Sequence, residues 1–307
     1  MTLYIVGHKN PDTDSVCAAI ALATLKNKIG GSAVACMQGE LNPETKFVLD
    51  RFDVNMPEIL KDGKEKDLAL VDHTEVSQSV ENIGLANIKM IVDHHKLGDI
   101  TTSTPLEVLI KPVGSTCTII KSIYDSYNVI IPSEIAGIML CAILSDCVIF
   151  KSSTTTEEDK QTAKDLADIA GVDDMEELGM EMFKVKSAIE GVSVKDLVMR
   201  DYKDFDMSGK RVGIGQLELV DLSMLDDIKD DLYEELKRLK EEGRHSVFLL
   251  LTDIMKEGSE MMYVSDDSSV IEKAFGKIPE GENVWLEGVM SRKKQVVPFL
   301  EKSFSTM

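Results

Sequence analysis

A two-domain α/β protein is the architecture this sequence predicts: an N-terminal doubly wound, mainly parallel sheet, then a smaller C-terminal mixed α/β domain. Three observations carry that expectation. Short apolar runs bounded by polar residues alternate with helix-periodic segments through the first half, as in a sheet buried on both faces. The alternation breaks around 188–198, "AIEGVSVKDLV", and a different order follows. A length of 307 residues is enough for two domains with cores of their own.

In chain order, "LYIVGH" reads as a strand and "DSVCAAIALATLKNKIG" as a helix ending at Gly30-Gly31. "SAVACMQG" is a strand, "ETKFVLDRF" a helix, and "LALVDH" and "IKMIVDHH" are strands. "TCTIIKSIYDSY" and "SEIAGIMLCAILSD" are helical by period. "TTEEDKQTAKDLADIAG" is an amphipathic helix with a Thr cap and terminal Gly171. Beyond the break come "KRVGIGQLELVD" as a strand and the charge-laced helix "MLDDIKDDLYEELKRLKEEG", a solvated face. Strands "SVFLLLTDI" and "EMMYVS", a short helix, the strand "NVWLEGVM" and a last helix "QVVPFLEKSF" complete the chain. The boundary falls near 190, which gives domains 1–188 and 196–307.

Composition narrows the function. The chain is 43% hydrophobic and 29% charged, and no apolar stretch is long enough to span a bilayer, so a globular protein without a membrane partner is expected. The N-terminus has no basic region or cleavage site of a secretory leader. Five cysteines, odd in number and without C-x-x-C spacing, read as buried thiols in a reducing cytoplasm. A net charge of −20 and 5% aromatics argue against nucleic acid, whose binding needs cationic grooves and stacking rings.

The stretch "GHKNPDTDS" places His8, Asp12 and Asp14 within seven positions. Carboxylates so close repel unless something positive sits between them. Pro11 is expected to hold Asn10 extended, and alternation along an extended backbone would aim Asp12 and Asp14 the same way. The plain alternative is a loop in which Asp14 or Ser15 caps the following helix. Three other segments end alike: "LALVDH" at Asp72-His73, "KMIVDHH" at Asp93-His94-His95, and "CAILSDC" at Asp146. Four of the five histidines fall in these clusters. In open α/β sheets, ligands bind beyond the carboxyl ends of the strands. Carboxylates and imidazoles without thiolate suit Mn²⁺, Co²⁺, Fe²⁺ or Zn²⁺, and so many ligands suit two ions sharing a carboxylate. Arg292, Lys293 and Lys294 in "SRKKQ" offer cations for an anion.

Together, "GHKNPDTDS", "LVDH", "VDHH" and "SRKKQVVP" resemble a family II inorganic pyrophosphatase of the DHH phosphoesterase superfamily, from residue 4 to about 300. The resemblance implies His8, Asp12 and Asp72 as ligands of one metal, and Asp14, Asp72, His94 and Asp146 of a second, with Asp72 bridging. It implies His95 as a catalytic histidine and Arg292 and Lys293 as a phosphate clamp. Lys203 is implied as a further clamp, with Lys210 competing, and Asp93 as an orienting group. Thr74 stands where the family usually has an Asn-like residue. Also implied are two Mn²⁺ per subunit (Co²⁺ as an alternative), Mg²⁺ carried with pyrophosphate, a cytoplasmic homodimer, and hydrolysis by a metal-activated water at the interface of the domains. The chain is too short for the regulatory nucleotide-binding insertion of some members.

Overall fold

All strands of the N-terminal sheet run parallel. In the computed structural model, which describes every residue except 1, 188, 190, 221, 280 and 307, the chain divides into two units, Met1–Val185 and Lys186–Met307. Position 188, where the sequence reading ends the first domain, lies outside the described residues.

The first unit runs β1 (Leu3–Lys9), α1 (Thr13–Lys28), β2 (Ala33–Gln38), α2 (Pro43–Arg51), β3 (Glu58–Ile59), β4 (Asp67–Val71), β5 (Asn87–Asp93) and β6 (Glu107–Ile110), then α3 (Thr116–Ser126), α4 (Ser133–Asp146), α5 (Glu157–Ala170) and α6 (Met175–Lys186). The sheet order is β3-β2-β1-β4-β5-β6. The chain winds outward from β1 in one direction, returns, and winds outward from β4 in the other. The crevice at that reversal, beyond the carboxyl ends of β1 and β4, is where such sheets hold ligands. Central strands are uninterruptedly apolar because both faces are covered, one by α1, α3 and α4 and the other by the connecting segments that carry Leu60, Val80 and Ile83: Leu68, Ala69, Leu70 and Val71 of β4 are fully buried. The core runs through α1, α3 and α4, and α4 is buried nearly all round from Ile135 to Ser145. Each such Leu or Ile contributes roughly 1.5–3 kcal/mol on leaving water.

The second unit runs α7 (Val194–Met199), β7 (Tyr202–Met207), β8 (Lys210–Leu219), α8 (Lys229–Glu241), β9 (Ser246–Asp253), β10 (Gly258–Ser265), α9 (Ser269–Phe275), β11 (Asn283–Glu287) and α10 (Val297–Ser305). Its sheet, β11-β10-β9-β8-β7, is mixed: β8 and β9 pair in parallel and the other neighbours antiparallel. The predicted α/β class and mixed second domain are therefore the observed ones. α8 carries Lys237–Glu234, Arg238–Glu235 and Arg238–Glu242 pairs along its outer face.

Local departures have local causes. β3, β6, β7 and α6 are absent from the sequence reading; the three strands are edges of their sheets, β3 and β6 short and β7 mostly polar. The stretch read as a break contains α7, capped by Ser193, whose hydroxyl accepts from Asp196 N. Asn10 is not extended: its φ is +52°, left-handed backbone that Asn tolerates. The cap of α1 is Asp12, accepting from Ser15 N, and not Asp14 or Ser15. None of the described helices is long and apolar enough to cross a membrane.

Candidate metal centre

Four segments deliver acids and imidazoles to one end of the first unit's sheet. His8 ends β1, Asp12 caps α1, and Asp14 lies in its first turn. A helix N-terminus stabilises negative charge, so these two carboxylates sit where the backbone favours them. Asp72 follows β4 with φ +61°, and His94 and His95 follow β5. Asp146 is the last residue of α4, at the end of a helix that repels a carboxylate.

The side chains converge. His8 Nε2 is 3.3 Å from both Asp12 Oδ2 and Asp72 Oδ2. His94 Nε2 is 3.4 Å from Asp72 Oδ1 and 3.5 Å from Asp146 Oδ2. Ligand atoms of His8, Asp12 and Asp72 lie within 4.8 Å of one another, as do those of Asp14, Asp72, His94 and Asp146, and those of Asp72, His94 and His95. Asp72 belongs to all three groups.

Hydrogen bonds fix how the imidazoles face. His8 Nδ1 donates to Lys9 O at 2.7 Å and His94 Nδ1 to Val113 O at 3.0 Å. When neutral, each ring therefore turns the lone pair of Nε2 toward the acids. His95 Nδ1 instead pairs with Asp93 Oδ1 at 2.9 Å, which also accepts from His95 N. Its ring stands edge-on to His94, 4.2 Å between centroids. His73 takes no part in these groups: its nitrogens face Val71 O and Ser79 Oγ.

Charge at this spot is unbalanced. Burial, then the charge of Asp72, pushes Asp14 up to about 6. Burial and the charges of Asp14 and Asp12 hold Asp146 well above the usual carboxylate range. Burial works against charge on His94, but Asp72, Asp146 and Asp14 raise it to about 10. Asp72 Oδ2 and His94 Nε2 are buried without a hydrogen-bond partner. Surplus negative charge, oxygen and nitrogen donors, and orphaned buried atoms are what a divalent cation would answer, so the residues present fit such ions.

The chain matches the DHH family N-terminal domain over residues 2–143 and the DHHA2 domain over 180–303. An Archaeoglobus fulgidus protein named a probable manganese-dependent inorganic pyrophosphatase is 54% identical over 318 residues, 99% of each chain. The manganese-dependent inorganic pyrophosphatase of Methanocaldococcus jannaschii is 46% identical, covering 98% of this chain and 99% of its own. The chain belongs to the family II inorganic pyrophosphatases. The crystal structure of a Methanococcus jannaschii protein assigned to that family superimposes with a TM-score of 0.84 at 45% identity, over 99% of both chains.

In this family II chain the sequence-derived clamp residues all belong to the second unit. Arg292 is 2% exposed. Its guanidinium donates to Asp201 Oδ1 at 2.7 Å, to Ile214 O at 3.2 Å and to Asp201 O. Lys293 is exposed on the turn that follows. Lys203, on β7, lies opposite Ile214 of β8, so it shares Arg292's end of the hairpin. Lys210 pairs with Met207 at the other end and sets its Nζ 5.5 Å from the Phe304 ring. Sequence reasoning missed Ser115, Thr116 and Asp159, polar groups that contact the acids or the backbone beside them. The only signal for Ser115 was a cap-like serine before an apolar helix, and Ser115 does accept from Cys117 N.

Proposed function

We propose that this enzyme hydrolyses pyrophosphate to two orthophosphates, with two Mn²⁺ held by His8, Asp12 and Asp72 and by Asp14, Asp72, His94 and Asp146. Co²⁺ would suit the same donors, and Mg²⁺ would enter with the substrate. One observation carries the reading: a single buried carboxylate, Asp72, belongs to both donor sets and keeps an oxygen without a partner. Bound divalent ions supply Lewis acidity toward phosphoryl oxygens and acidify a water. The donor charges balance, since four carboxylates match two divalent ions. The substrate's own negative charge then needs cations from elsewhere. Arg292, Lys293 and Lys203, all residues of the second unit, would supply them. His95, oriented by Asp93, meets the phosphate beside Asp72 and holds or passes a proton there. The placement of Lys203 at Arg292's end of β7 supports it over Lys210. Family membership supports a homodimer, and five buried free cysteines support a reducing, cytoplasmic setting.

The test is phosphate release from pyrophosphate, tripolyphosphate and a dinucleotide, side by side after preincubation with Mn²⁺. Pyrophosphate should be cleaved fastest. Faster cleavage of tripolyphosphate or the dinucleotide overturns the substrate assignment, and equal rates with and without Mn²⁺ overturn the metal assignment.

A further inference from the structure

Segment 113–118 contains none of the proposed ligands, yet it touches three of them. Val113 O accepts from His94 Nδ1. Ser115 Oγ donates to Asp14 Oδ1 at 2.7 Å, Thr116 N to Asp14 Oδ2 at 2.7 Å, and Cys117 N to Asp14 Oδ1 at 3.1 Å. Thr116 Oγ1 donates to Asp72 Oδ1 at 3.3 Å. A carboxylate offers about four lone-pair directions, so three donors leave Asp14 little choice of where to present the fourth.

The segment is itself pinned from behind. Asp159 on α5 is fully buried, and its carboxylate accepts from Gly114 N at 2.8 Å and Thr118 Oγ1 at 2.6 Å. These contacts clasp residues 115–117 from both sides. Thr156 N and Oγ1 hold the same carboxylate at 2.8 and 2.7 Å, as part of the capping box that starts α5. Gly114 permits the approach: a Cβ there would stand 2.4 Å from Cys147 Sγ and 2.9 Å from Asp159 Oδ2. By contrast, His8 Nδ1 donates to Lys9 O and Asp12 accepts from Ser15 N, both within their own neighbourhood.

We propose that segment 113–118 is a positioning strap for the Asp14–Asp72–His94–Asp146 group, and that Asp159 is the positioning residue that holds it. The proposal rests on the reading of those four residues as metal ligands. Because the strap touches one donor set far more than the other, its loss should separate the two metals.

The experiment titrates metal-free full-length protein with Mn²⁺ and follows free Mn²⁺ by electron paramagnetic resonance. Ser115→Ala should weaken one class of sites by about 10–100-fold and leave the other within about twofold, the range seen when groups that orient metal ligands are removed, and Thr116→Val, which takes a donor from the shared Asp72, should weaken that same class the more. Thr116→Ser, which keeps the hydroxyl, should restore wild-type binding. Asp159→Asn, which turns one acceptor into a donor facing Gly114 N or Thr118, should weaken the same class. If Asp159→Asn does not fold, by circular dichroism, the Ser115 and Thr116 variants still decide. Equal weakening of both classes, or none in either strap variant, overturns the strap. Asp14→Asn separates the two levels: loss of one class there with no effect of the strap variants refutes the strap alone. Unchanged binding in Asp14→Asn refutes the ligand reading and the strap with it.

Discussion

Two buried charged groups in this chain, Asp72 in the first unit and Arg292 in the second, are 1% and 2% exposed. Their surroundings differ. Arg292 finds its counter-charge in its own unit: a carboxylate and two carbonyls take the terminal nitrogens of its guanidinium, its backbone N–H donates to Gln216 Oε1 at 3.0 Å, and only its Nε is buried without a hydrogen-bond partner. Asp72 lies among further acids and imidazoles, with one oxygen unpartnered. Burying an uncompensated charge is costly, so a fold keeps such a cluster only where something else compensates it. A buried charge with its counter-ion in the same unit is architecture first; a buried carboxylate crowded by further acids points to a missing cation. That difference ranks the substitutions below.

The largest effect is expected at Asp72. Asp72→Asn removes charge from both donor sets, and turnover should fall by about 10²–10³-fold, the scale for losing one group that stabilises developing charge. Mn²⁺ stoichiometry measured on the same variant should drop for both classes; near-wild-type metal content and turnover would refute the shared role.

Next, the neighbouring histidines should part. His95→Ala should keep its metal and lose turnover by ~10²-fold, as for a positioned proton donor. His94→Ala should lose metal, because its Nε2 faces Asp72 and Asp146. Equal loss of metal in both variants would show that the Asp93 contact does not set His95 apart.

Arg292 breaks the comparison from the other side. Sequence reasoning expects Arg292→Lys to reduce kcat/KM without touching stability, as a residue that acts on the substrate and not on the fold. The buried fork on Asp201 changes that expectation: lysine cannot reproduce three bonds in one plane, and the variant should lose about 1–3 kcal/mol of stability as well. Lys293→Ala, on the exposed next position, should reduce kcat/KM with an unchanged melting curve. A melting curve for each variant reads this directly, and an unmoved Tm in Arg292→Lys would show that its bonds are dispensable.

The smallest effect is in pH. Asp14 is pushed up to about 6 in the folded chain, above the ordinary carboxylate value near 4. A raised folded value stabilises the metal-free protein below about pH 4, and that contribution is lost as pH rises through about 6. Mn²⁺ needs the ionised carboxylate, so the shift in Tm produced by Mn²⁺ should grow from about pH 5 to about pH 7. A shift that shrinks over that range would contradict the assignment of Asp14.

Much of the site was legible before any coordinates, because a strand that leaves a buried sheet shows its end: apolar run, then Asp or His. "LALVDH" and "IKMIVDHH" mark the carboxyl edge of β4 and β5 in this way. Alternation of strand and helix fixed the class, since a parallel sheet needs a crossover between strands. How those residues meet was a different matter. Asp12 and Asp14 converge through a helix N-terminus and not through an extended strand, because Asn10 turns left-handed ahead of Pro11. His73 looks like its neighbours in sequence but is drawn to Ser79. Val148, Ile149 and Phe150 hold positive φ just after Asp146, at about 1–2 kcal/mol each, which no propensity would foresee, least of all in the β-branched Val148 and Ile149. Asp14 finds Ser115 and Thr116 about a hundred residues away, and Arg292 finds Asp201 91 positions back. Period and composition act within a few residues, and so they determine which element forms and which face it buries. The partner of a buried polar group depends on which elements pack together, and only the tertiary structure decides that.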